Sequence, residues 1–211
     1  MDQEVNLYLK WLGIEQKPQY KIKVIQRHRS SLMVEDADNE ILLKADKEIM
    51  NEEEFINWTN IALYSGKTFS KIYSDAKFKD FVDETKIRKT FYGENPKTIQ
   101  EIFDHVNRCQ YYYLSRTKIE FEAKDEDFMK IRAFCLQKLK ELYRKNNNYT
   151  IFEIDNELWT LKKILRRFIW HDRIHGKAVA RILKKQKQLG MINEYNDPFY
   201  FTRATTSYNS E

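Results

Sequence analysis

Five glycines and three prolines in 211 residues leave this chain with very few punctuation marks. Turns with positive φ and breaks in hydrogen-bonded ladders draw heavily on those two residues, so a loop-rich β architecture is poorly supplied. Long helices are favoured instead. With 42% hydrophobic, 14% aromatic and 33% charged residues, the composition is globular rather than disordered, and either one large domain or two small ones could be built.

The pattern along the chain divides it into three parts: 1–47, 48–148 and 149–211. In the first, Tyr20 to Gln26 alternates in the strand manner, and Ser31 to Glu35 and Glu40 to Lys44 flank the turn-forming Asp36-Ala-Asp-Asn39. An antiparallel β-meander over roughly residues 20–45 is expected. In the second part, Asn51 followed by Glu52, Glu53 and Glu54 has the form of an N-cap with carboxylates in the first turn. Phe55, Trp58, Ile61 and Ala62 then recur at helical spacing up to Gly66, which is expected to end the run. A second helix is expected over 68–84, and Gly93-Glu-Asn-Pro96 breaks the pattern. Periodic segments from Thr98 and from Asp125 predict two further helices, the latter closing at Asn146-Asn147-Asn148.

In the third part, residues 162–187 carry ten Lys/Arg against one Asp, a net charge of +9 in a chain whose total is +5. The other 185 residues therefore carry −4. Such an asymmetry points to an anionic partner. Leu158, Leu161, Leu165 and Phe168 mark one helix, Gly176 its expected end, and Ala178, Val179, Ile182, Leu183 and Leu189 a second, capped at Gly190. Met191–Tyr195 and Phe199–Thr202, joined by Asn196-Asp197-Pro198, are expected to pair as strands.

Helix, glycine turn, basic helix and hairpin over roughly 150–203 resemble a winged helix. With the meander and central helices the expected fold is α+β, mainly α, and the resemblance implies a C-terminal winged-helix-like, helix-turn-helix unit that binds DNA. It would place Lys177, Arg181 and Lys184 on a groove-facing helix face, with Lys185 and Lys187 nearby. Lys162, Lys163, Arg166, Arg167 and Arg173 would hold phosphate oxygens, giving affinity without sequence information.

His171 and His175 have the H-x-x-x-H spacing that would let two imidazoles share a metal, but Asp172 stands where a zincin carries Glu, and no third ligand is evident. Arg166 and His171 form R-x4-H, a spacing that resembles the motif of the HEPN ribonucleases. That resemblance implies metal-independent RNA cleavage at a dimer interface, with His moving the proton and Arg stabilising the phosphorane. Arg167 competes for the same assignment. The plainer expectation is that the histidines shape a turn and that the chain is not an enzyme and carries no cofactor. Tyr111-Tyr112-Tyr113 could stack on bases, although consecutive helical positions fan widely and one must face the core.

Cys109 and Cys135 lie in helical patterns without metal-ligand spacing and are expected to be reduced thiols of a cytoplasmic protein. No apolar run reaches membrane-spanning length. The expected partners are nucleic acid, with duplex DNA the first choice, or an acidic protein captured by an inhibitor-like module. A homodimer is compatible with either.

Overall fold

A computed structural model of the chain describes residues 2–14, 21–29, 31, 41–84, 89–90, 93–123, 127–146 and 149–201. Its elements, in chain order, are α1 (Asp2–Trp11), α2 (Lys44–Lys47), α3 (Glu52–Ser74), β1 (Lys89–Thr90), β2 (Gly93–Glu94), α4 (Ile99–Ser115), α5 (Phe128–Asn146), β3 (Phe152–Ile154), β4 (Glu157–Trp159) and α6 (Leu161–Gln188). β1 pairs with β2 and β3 with β4, each antiparallel. The mainly helical expectation holds. Two units are formed, one from residues 1–22, 68–106 and 172–211, the other from 23–67 and 107–171.

The caps explain several helix starts. Asn51 Oδ1 accepts from Glu54 N at 2.8 Å, Asp127 Oδ1 from Lys130 N at 2.9 Å, and Thr98 Oγ1 from Glu101 N at 3.0 Å. Glu101 answers by accepting from Thr98 N, which completes a capping box. At the other end of α6, Gly190 has φ +73. Its N–H donates to Lys187 O and that of Met191 to Gln186 O, both at 3.0 Å, the pair of bonds that defines a Schellman cap.

Among the described residues the N-terminal meander is not formed. Residues 21–29 and 41–43 are in no strand and Lys44–Lys47 is a helical turn, while residues 32–40, with most of the expected 31–35 strand and the turn at 36–39, lie outside the described residues. Backbone acceptors of the 41–46 stretch serve α6 instead of a ladder: Lys163 Nζ donates to Ile41 O at 2.8 Å, and Thr160 Oγ1 to Asp46 O at 2.8 Å. Period-two alternation marks two faces, but only a paired ladder makes a strand.

The winged-helix unit is likewise absent. Leu161–Gln188 is one continuous helix of 28 residues, with no turn at Gly176, and residues 191–201 contain no strand. A methyl group at Gly176 would lie 2.5 Å from the Phe199 ring, so the glycine admits a buried aromatic and does not end the helix. The hairpin of this region precedes the helix, at β3 and β4. Its two turn residues, Asp155 and Asn156, have φ of 54 and 64, which is the type I′ geometry that suits twisted strands. Gly66 repeats the lesson of Gly176: it lies inside α3, and a methyl there would meet Arg132 Nη1 at 2.9 Å.

The unit of residues 23–67 and 107–171 is organised on buried Arg132. Its Nε donates to Gln110 Oε1 at 2.7 Å and Nη1 to Ala62 O at 2.6 Å, while the guanidinium lies 4.6 Å over Phe168. Two donors are thus satisfied and the plane is covered by an aromatic face, which is how a charge survives burial. Phe55 stacks on Tyr143 at 4.1 Å, and Tyr143 Oη donates to Met50 O. In the other unit, Trp11 Nε1 donates to Thr68 Oγ1 at 3.2 Å, Tyr73 stacks on Phe103 at 3.7 Å, and Gln186 Nε2 donates to Phe78 O at 2.7 Å.

Candidate nucleic-acid interface

The ten cations of α6 separate into two populations. Lys162 is buried and pairs with Glu54 at 2.7 Å and Glu48 at 3.7 Å. Lys163 is fully buried; its Nζ donates to Ile41 O and to Leu158 O at 2.6 Å and lies 4.3 Å over Trp159. Arg166 grips buried Asp46 with two bonds of 3.0 Å. Arg167, also buried, stands 4.3 Å over Trp170 and 5.7 Å over Tyr113. These four side chains fix the first half of α6 to its own unit.

Arg173 begins the other population and is only half-buried. Its guanidinium lies over Tyr8, Trp11, Phe201 and Phe199 at 4.7, 4.8, 5.0 and 5.6 Å. Nη1 is buried without a hydrogen-bond partner among the described residues, and burial pulls the Arg173 pKa down, against the field of Tyr8, Glu4 and Asp197. Beyond it, Arg181, Lys184 and Lys187 are exposed, and Lys177 and Lys185 half-buried. At 100° per residue, Lys177, Arg181, Lys184 and Gln188 fall within an arc of about 60°. Val179, Ile182 and Leu183 on the far side are buried. No Asp or Glu occurs from 173 to 193, and among the described residues none of these five cations forms an ion pair.

The histidines lie mid-helix, in two different surroundings. His171 is buried, 5.5 Å from the Tyr113 ring, and one of its ring nitrogens lies within 4.8 Å of Cys109 Sγ. His175 stands against His105, ring centroids 4.7 Å apart. Arg166 and His171 are five residues apart, so on one helix they project about 140° from each other. Both cysteines are free; burial pushes the Cys109 thiol up to about 11 and the Cys135 thiol up to about 12.

Of the Tyr111–Tyr113 run, Tyr113 is buried, and Tyr112 donates to Glu157 Oε2 at 2.9 Å. Desolvation pushes both phenols above their ordinary range. Sequence reading overlooked Tyr200, which has φ +62 and holds Lys10 Nζ 4.6 Å over its ring; the run Phe199-Tyr-Phe201 was its only signal. Among the described residues no helix is long and apolar enough to cross a membrane. Comparison with protein-family models, curated proteins and solved structures gives no match.

Proposed function

We propose that this chain binds nucleic acid through phosphate contacts made by the second half of α6. The observation that carries the reading is the row Lys177, Arg181, Lys184, Lys185 and Lys187, turned outward or half so and free of any carboxylate in its own stretch of chain. Cations gathered along one stretch of helix without a local carboxylate suit a polyanion, whose phosphates take several of them at once and release counterions in return. Phosphate oxygens carry no sequence information, so the proposal is one of backbone recognition. The cytoplasm is the proposed compartment, supported by two free cysteines.

An electrophoretic mobility shift with DNA and RNA at low salt tests the reading. A shift that weakens steeply with salt, and that Lys177→Ala or Arg181→Ala diminishes, supports it. Absence of any shift at low salt refutes it, and capture of an acidic protein alone would point to a protein-binding module.

A further inference from the structure

Phosphate binding leaves one neighbouring feature without a role. Arg173 lies one turn before Lys177 on α6, and between them they border a group of rings: Arg173 over Tyr8 and Phe201, Lys177 Nζ 5.5 Å from the Phe201 centroid. Lys10 covers Tyr200 in the same unit. Trp11 and Phe199 are buried and form the floor of the group, whereas Tyr8, Tyr200 and Phe201 are half-buried. Cations and aromatic rings thus alternate where the basic row begins.

Tyr200 adds an independent sign. Its φ of +62 lies in the left-handed region, which a bulky side chain seldom occupies. The turn that holds it there is closed by Tyr200 N donating to Asp197 O at 3.0 Å. Backbone strain at a half-buried aromatic residue is the kind of expense a fold carries where the side chain has work to do.

We infer that the nucleic acid taken by this face is single-stranded, with unpaired bases stacking on Tyr200 and Phe201 while the strand's phosphates run along Lys177, Arg181 and Lys184. The inference rests on the phosphate-binding reading and adds the substrate class. A duplex keeps its base faces inside the stack; an unpaired strand offers them to a ring. Alternating rings and cations are the combination that holds such strands, because every base has a π-face and every nucleotide a phosphate.

Fluorescence anisotropy on the full chain, with a short labelled DNA strand alone and annealed to its complement, separates the outcomes. The single strand is expected to bind about tenfold more tightly than the duplex, and Phe201→Leu to remove most of that difference. Tyr200→Asn is the decisive variant. Asn tolerates the left-handed region, so thermal stability should hold or rise while single-strand affinity falls several-fold and duplex affinity stays unchanged. Arg181→Glu should weaken both. If Phe201→Leu fails to fold, ultraviolet crosslinking of the wild-type complex should still place the strand on the peptide holding Tyr200 and Phe201, and a crosslink confined elsewhere would overturn the inference. Equal or tighter duplex binding, or full single-strand affinity in stable Tyr200→Asn, would overturn it while leaving phosphate binding standing. Failure of both forms to bind would remove phosphate binding itself.

Discussion

At the scale of single residues, glycines do two different things in this chain. Gly190 has φ +73 and open space around it, whereas Gly176 is helical and faces the Phe199 ring at 2.5 Å from where a methyl would stand. Gly190→Ala should therefore cost about 1 kcal/mol, from backbone conformation alone. Gly176→Ala gains ~1 kcal/mol of helix propensity but forces a buried aromatic to move, which costs about 1–3 kcal/mol and more when the ring cannot relax. Urea unfolding should show Gly176→Ala destabilised, and Gly176→Ala paired with Phe199→Leu partly restored. The thiols give a second residue-scale prediction. Cys109 and Cys135 are raised from an ordinary 9.0 to about 11 and about 12, so above pH 9 the unfolded chain loses these protons first. Stability contributed by the buried thiols is then present below pH 9 and lost as pH rises toward 11–12. Unfolding free energy should fall across that window, and less steeply in Cys135→Ala.

At the scale of elements, what was legible in the sequence was local hydrogen bonding. Asn51, with its acidic first turn, marked the start of α3, and Gly190 marked the end of α6, because each motif satisfies donors or acceptors within a few residues. Gly66 and Gly176 misled for the opposite reason: their partners, Arg132 and Phe199, are distant in sequence, and a glycine required by packing has the same letter as one required by a turn. The hairpin turning at Asp155 and Asn156 was not read from the sequence, because its strands are too short for alternation to register. Of the basic row, the charge was legible but its division was not. Nothing local announced that Asp46 would take Arg166, or that Ile41 would take Lys163. Asp46→Asn should release the first turns of α6, since it leaves Arg166 without its carboxylate; a loss of roughly 3 kcal/mol is expected. Hydrogen exchange should quicken most at the amides of residues 161–167.

At the scale of the whole molecule, a charge of +5 conceals a row that is uncompensated along its own stretch of chain. The cations of the first half of α6 are engaged with carboxylates, carbonyls and rings, whereas among the described residues Lys177, Arg181, Lys184, Lys185 and Lys187 form no ion pair. Nucleic-acid affinity as a function of salt, in wild type and in Arg181→Ala, tests this division most directly. A linear fall of log K with log salt is expected, with a slope on the order of −3 if three to four phosphates are neutralised. Arg181→Ala should make that slope shallower by about 1. An affinity insensitive to salt, or a slope that Arg181→Ala leaves unchanged, would contradict it.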